Sequence, residues 1–176
     1  MISVLGAFLS TWDDARATLG AGAPVDGSRF DRGAQLDDAR GAVLSAAPGE
    51  WTGSSAEAYA DRNHQLAGTI GRLAELDRRL GAEMDRSASV VAAGRRDLDS
   101  VRQWVMSAAA SVPPNAAGER FLMPVVSKGV ADIADIVARS NADMNGIAAR
   151  IREIGHGYQA LGVGHPGTHR RPEGTR

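Results

Sequence analysis

Hydrophobic positions recur along most of the chain at intervals of three and four, and nowhere in the strict alternation of a half-buried strand. From Ile2 to about Thr18, Leu5, Phe8, Leu9, Trp12 and Leu19 define one face of a short amphipathic helix. The stretch Gly20 to Gly33 is glycine-rich and polar, with Pro24 inside it, and reads as a loop. A second helix is expected from about residue 30 to Ala47, with Leu36, Ala39, Val43 and Ala46 facing inward, and Pro48 with Gly49 ends it.

The most regular pattern comes next. Tyr59, Leu66, Ile70, Leu73, Leu80, Met84, Val91, Leu98, Val101 and Val105 fall on one seam of alternating threes and fours, a heptad pattern. With Ile70 at position a, the neighbouring e positions are Ala60, Ala67, Ala74, Gly81 and Ala88, small residues that let another helix approach closely on that side. The spacing predicts one helix from Ser55 to about Ala110, on the order of 80 Å long at 1.5 Å per residue, with any bend expected at Gly94. Pro113, Pro114 and Asn115 break the pattern, and a loop of about a dozen residues is expected to run to Pro124. A last long helix, about 125–161, carries Val130, Ile133, Val137, Met144, Ile147, Ile151, Ile154, Tyr158 and Leu161 at the same spacing, with Ser140 as the polar exception. The predicted class is all-α: an elongated helical bundle built on two long antiparallel helices, forming a single helical domain over 1–161. The packing interface should use Leu66, Ile70, Leu73, Leu80, Met84 and Val91 on one helix and Ile133, Val137, Ile147, Ile151 and Ile154 on the other. The glycine- and arginine-rich end, 162–176, is expected to be a disordered tail.

Composition narrows the function classes. A chain of 176 residues with 43% apolar content suffices for one buried core. Twenty basic against 21 acidic residues give a net charge of −1, so no bulk electrostatic attraction draws it to nucleic acid, and no basic amphipathic face favours a membrane surface. Neither apolar stretch, Ile2 to Leu9 or Trp104 to Val112, approaches the roughly 20 residues a membrane-spanning helix needs. Met-Ile-Ser-Val lacks the positive n-region of a secretory signal peptide, so any export is expected to use another signal. The absence of cysteine excludes disulfides, thiolate nucleophiles and cysteine-ligated zinc.

Candidate catalytic groups do not assemble. Asp61 and His64 form one i,i+3 pair on a helix surface with no nucleophile sharing their face, while Asp13-Asp14 and Asp37-Asp38 are adjacent in sequence and point different ways. His165 and His169 would suit a metal only on a helix, and Pro166 and Gly167 lie between them. The charged residues read as solvated faces, with i,i+4 pairs from Glu75 to Arg79 and Asp135 to Arg139. No catalysis, cofactor or metal is expected.

Two features ask for more than packing. Trp51-Thr52-Gly53 precedes Ser54 and Glu57, which have the spacing of a capping box at the start of the long helix. The triplet is a weak signal in a chain with 21 glycines, but its place between two helices is informative. The glycine permits a tight turn with positive φ. The tryptophan either closes the hairpin core, which burial statistics favour, or stands exposed as an anchor for a partner. Asp77 falls at an a position of an otherwise apolar seam. It is either a polar residue that specifies a partner by pairing with an arginine across an interface, or a wet patch where the seam drifts outward.

The run Gly49 to Leu80 resembles the W-x-G region of the EspA/EspE family of type VII (ESX) secretion effectors. The resemblance rests on Trp51, Gly53, Ser54, Ala56, Tyr59, Asn63, Leu76, Asp77, Arg78 and Leu80. It continues more weakly to about Val105, and the run is more loosely similar to the small W-x-G helical-hairpin proteins exported by the same apparatus. The resemblance implies a helical, non-enzymatic substrate. Such a substrate is cytoplasmic before export, is exported by the actinobacterial type VII machinery as a folded chain paired with a second small helical protein, and is then secreted or held at the cell envelope. Trp51, Gly53, Tyr59, Asn63, Asp77 and Arg78 would form its recognition motif. The broader group pairs W-x-G on one partner with Tyr-x-x-x-Asp/Glu on the other. Here Asn63 follows Tyr59 and Gly162 follows Tyr158 at that spacing, so the tyrosine motif is expected on a separate chain. The alternative is an intracellular self-associating helical scaffold or secretion chaperone, whose seams pair between identical chains.

Overall fold

The computed structural model of the protein describes residues 4–46 and 52–163. It is all-α among these residues: α1 (Val4–Thr18), a 3-10 turn at Gly27–Arg29, α2 (Gly33–Ser45), α3 (Ser54–Ala110) and α4 (Ala116–Val163). The two long helices run 57 and 48 residues and pack together antiparallel. Their residues divide between two compact units, one of the residues up to Asp26 with Glu83–Ala149, the other of Gly27–Ala82 with α4 from Arg150 onward.

In the first unit α1 lies against both long helices. Phe8, Leu98 and Val105 are fully buried and join Ala15, Val126, Ile133 and Ile136 in one apolar cluster, edged by Leu5, Leu9, Trp12, Leu19, Val101 and Val137. The face predicted for the first helix is therefore the one it buries. Polar links fix its direction: Trp12 Nε1 donates to the Leu98 carbonyl at 2.8 Å, while Arg95 donates to the carbonyl of Leu19 at 2.7 Å and also to that of Gly22. Arg95 thus satisfies carbonyls just past the end of α1, where the helix has none of its own donors left. Gly94, expected as a bend, lies within uninterrupted α-helix. Its missing side chain makes room instead, since a Cβ there would sit 2.9 Å from both Leu19 Cδ1 and Ser140 Oγ. That explains why the polar exception Ser140 can be buried on the facing helix.

The connection between the long helices is 111–115, shorter than the expected loop to Pro124, because α4 begins at Ala116. Asn115 is an N-cap rather than a breaker: its Oδ1 accepts from the backbone N–H of Ala117 and of Gly118, each at 3.0 Å. Pro124 then sits inside α4. An internal proline costs about 3 kcal/mol, and burial of Leu122 and Val126 on either side of it offsets that cost.

The second unit is built on small residues. Ala67 and Ala74 are buried to 2% and 0% exposure, and Gly81 is buried with them, so the e-position stripe is the deepest part of α3 here. The seam residues Ile70, Leu73 and Leu80 are only half-buried, and Leu66 is 48% exposed. The 3-10 turn lies directly on α3, for a methyl added at Gly27 would sit 2.6 Å from the Gly81 carbonyl carbon and overlap its oxygen. On α2, Leu36 and Val43 are half-buried as expected, while Ala39 and Ala46 are exposed. α4 contributes Ile154, at 2% exposure.

Backbone cannot yield as a side chain can, so Gly27→Ala should destabilise the protein by about 1–3 kcal/mol. Gly41→Ala on the exposed face of α2, where nothing lies within 4 Å of the added methyl, should stabilise by about 0.5–1 kcal/mol. Urea denaturation followed by circular dichroism distinguishes the two.

Candidate functional site

The turn that precedes α3 is set by Gly53. Its φ of +101° lies in the region that disfavours side chains. Its carbonyl accepts the first helical N–H groups, from Ala56 at 3.0 Å and Glu57 at 3.1 Å. Gly53 therefore takes the cap position one residue before the one expected for Ser54, and Ser54 is the first helical residue. The glycine of the triplet is required by backbone conformation, as its position between helices suggested. Trp51 lies outside the described residues. Tyr59, one turn into the helix, is 39% exposed.

Asn63 closes the turn from the helix side. Its Nδ2 donates at 3.2 Å to the carbonyl of Ala46, the residue that ends α2. The end of one helix is thereby fastened to the third turn of the next. Four residues after Tyr59, Asn63 is thus engaged inside the chain.

Further along α3, two more residues of the expected motif act as clamps. Arg78 donates to Asp37 Oδ2 on α2 at 2.9 Å and to Glu75 Oε2 at 3.3 Å. The hydrogen bond to Asp37, ahead of the one to Glu75, holds its guanidinium pKa above the ordinary value. Glu75 therefore pairs at i,i+3 with Arg78 rather than with Arg79. The stem of Arg78 is also packed, because a Cβ on Gly33 would lie 2.7 Å from its Cγ. Asp77 accepts a hydrogen bond from the Tyr158 hydroxyl on α4. Beside it, Leu76 is buried at 8% exposure, with its Cδ2 where a Cβ on Gly157 would stand. Asp77 is thus partnered by a tyrosine of its own chain.

The expected packing residues divide by depth. Ile133, Ile147 and Ile154 are buried. Val137, Ile151, Met84, Val91, Ile70, Leu73 and Leu80 are half-buried, and Leu66 is exposed. Sequence spacing did not identify Asp37, the Ala46 carbonyl or Tyr158 as the groups answering Arg78, Asn63 and Asp77. Such pairings join residues 41, 17 and 81 positions apart, and no periodicity encodes them. His64 Nδ1 is 2.8 Å from the Ala60 carbonyl of its own helix. Among the described residues no group of three His, Cys, Asp or Glu side chains could hold a metal ion, and no helix is long and apolar enough to cross a membrane. His165 and His169 lie outside the described residues.

Comparison with known proteins bears on the same segment. Residues 19–100 match the model described as the EspA/EspE family. The match covers 82 of the chain's 176 residues. The matched region runs from the end of α1 through α2 and the Gly53 turn to Ser100 on α3, and so contains Asp37, Asn63, Asp77 and Arg78 but not α4. The chain is also 29% identical over 158 residues to the ESX-1 secretion-associated protein EspE of Mycolicibacterium smegmatis. That alignment covers 83% of this chain and 30% of the relative, so the chain spans less than a third of that protein's length. No solved structure matches.

The Asp77–Tyr158 bond gives a titratable signature. Burial first, and then the Asp77 hydrogen bond and charge, raise the Tyr158 pKa from 10.0 to about 12. A raised pKa means that the stabilisation is complete below the unfolded value near pH 10 and is lost as pH rises through about 12. The tyrosinate absorbance that disappears on Tyr158→Phe should titrate near pH 12 in the folded chain and near pH 10 in denaturant. The stability of Tyr158→Phe should change less than that of the wild type between those two pH values.

Proposed function

We propose that this chain is a type VII (ESX) secretion-associated substrate that works by helical association with a second protein and performs no chemistry of its own. The observation that carries the reading is the match of residues 19–100 to the EspA/EspE family. The 29% identical relative, an ESX-1 secretion-associated protein, supports the same direction. In this reading the polar clamps have one purpose, which is to hold α2 and the start of α3 on either side of the recognition triplet. Asn63 holds the exit from α2, Arg78 holds α2 itself, and Gly53 supplies the reversal into α3. The secretion machinery or the partner would read Trp51 and Gly53, together with Tyr59, which is 39% exposed on the second turn of the helix.

The partner is a small helical protein that supplies Tyr-x-x-x-Asp/Glu. Neither tyrosine of this chain does so, because Tyr59 is followed at that spacing by Asn63, which is committed to Ala46, and Tyr158 by Gly162. The complex would form in the cytoplasm and leave the cell folded, to the medium or the envelope.

In a strain with a working type VII system, Trp51→Ala should reduce export of the chain at least tenfold while its cytoplasmic level stays constant, and immunoblots of medium and cell fractions measure both. Unchanged export would remove Trp51 from the signal. Co-expression with a neighbouring helical protein that carries the tyrosine motif should give a one-to-one heterodimer by size-exclusion chromatography with light scattering. A homodimer confined to the cytosol would favour a scaffold or chaperone instead.

A further inference from the structure

In the second unit the two flanks of α3 differ in what covers them. On the heptad lettering with Ile70 at a, Gly71 and Arg78 occupy b and Gly81 occupies e. That flank meets α2 and the 3-10 turn, through Arg40 over Gly71, Gly33 against Arg78 and Gly27 against Gly81. On the opposite flank, made of c and g positions, α4 covers Leu76 but leaves Arg62 and Arg72 exposed. Between this flank and the last turns of α4 runs a groove of about 1000 Å³ whose lining includes Arg62, Leu66, Arg72, Leu76, Gly157 and Leu161.

The groove has a mixed chemistry that selects its occupant. Leu66, Leu76 and Leu161 make an apolar floor, and Leu66 leaves 48% of its surface in water although it belongs to the hydrophobic seam. Arg62 and Arg72 stand on its rim, ten residues apart and so about 15 Å along the helix axis. Among the described residues neither meets a carboxylate: Arg72 donates to Thr69 Oγ1 at 3.3 Å, and Glu75, the acid in the lining, is held by Arg78. Two guanidinium groups beside an apolar floor call for carboxylates that neutralise them when water is displaced. A groove between two packed helices, on the flank opposite α2, is where a fourth helix completes a bundle.

We propose that this groove seats an amphipathic helix of a partner protein. Its apolar ridge would cover Leu66, Leu76 and Leu161, and two of its carboxylates, about three turns apart, would pair with Arg62 and Arg72. The proposal rests on the reading of this chain as a protein that associates with a helical partner, and gives that partner a place and a charge pattern. Residues 164–176 are a poor occupant, since GHPGTHRRPEGTR has no large aliphatic side chain and brings three arginines to a rim that is already cationic.

The test uses the full chain and two fluorescein-labelled helical peptides, each with one leucine stripe. One carries glutamate at two positions eleven residues apart beside the stripe, and the other carries lysine there. By fluorescence anisotropy the wild-type chain should bind the acidic peptide at least tenfold more tightly than the basic one. The double substitution R62E/R72E should reverse that preference, and L66E should weaken binding of the acidic peptide tenfold or more, with helicity by circular dichroism unchanged in both variants. Equal affinity for the two peptides, or no binding of either, overturns the proposal. So does a wild-type homodimer that R62E/R72E dissociates, which would assign the groove to a second copy. A chain bearing R62E/R72E that still forms the one-to-one complex with its secretion partner overturns the groove assignment and leaves the proposed function standing. A wild-type chain that pairs with no such partner overturns the function itself.

Discussion

How closely other backbone can approach α3 is the constraint on which the second unit depends. Ala67, Ala74 and Gly81 line the side of this helix that is buried most deeply, and none of them extends beyond a Cβ. A stripe of that kind contributes little transfer free energy by itself, because each alanine removes far less apolar surface from water than a leucine would. Its contribution is proximity. The 3-10 turn comes close enough for Gly27 to touch the carbonyl of Gly81, and at that distance short polar links can form between elements. Arg78 to Asp37 and Asn63 to Ala46 follow from the close approach rather than causing it.

That arrangement assigns different work to the two units. In the first, large side chains are fully buried: Phe8, Leu98 and Val105 form a core of ordinary kind, and Trp12 and Arg95 fix its direction with hydrogen bonds to main-chain carbonyls. In the second, α2 buries only Gly33 completely, leaves Leu44 44% exposed, and is held largely by polar contacts on its exposed side. Exposed ion pairs contribute about 0–1 kcal/mol each. α2 therefore belongs to the part of the chain that opens most easily.

The helices were legible in the sequence because their signal is periodic. The seam from Tyr59 to Val105 required one long helix, and the e-position alanines and glycine announced a close neighbour. The start of α4 was not legible in the same way. Two prolines followed by Asn115 read as a break, whereas the asparagine side chain caps two N–H groups and starts the helix at once. Pro124 read as the end of a loop because propensity weighs heavily against an internal proline. Burial of Leu122 and Val126 outweighs it, and burial is a tertiary quantity. The candidate site was legible in its residues but not in their partners. Gly53 could be assigned a positive φ from its position alone. Nothing local could say that Asp77 would find Tyr158, which lies beyond the region matched by the family and on another helix.

The residues on which the EspA/EspE resemblance rests turn out to do two separable jobs. Leu76, Asp77, Arg78, Asn63 and Gly53 are occupied within the chain, by burial, by hydrogen bonds or by backbone conformation. That is the first job, and it is internal to the fold. The second, in the proposed reading, is recognition, which would fall to side chains exposed along the flank that α2 does not cover, among them Arg62, Leu66 and Arg72. The heptad seam explains why one helix can serve both ends. Positions b and e meet α2 and the 3-10 turn, while Arg62 at g and Arg72 at c, a fraction of a turn away, remain exposed, which in the proposed reading leaves that flank of α3 for a partner.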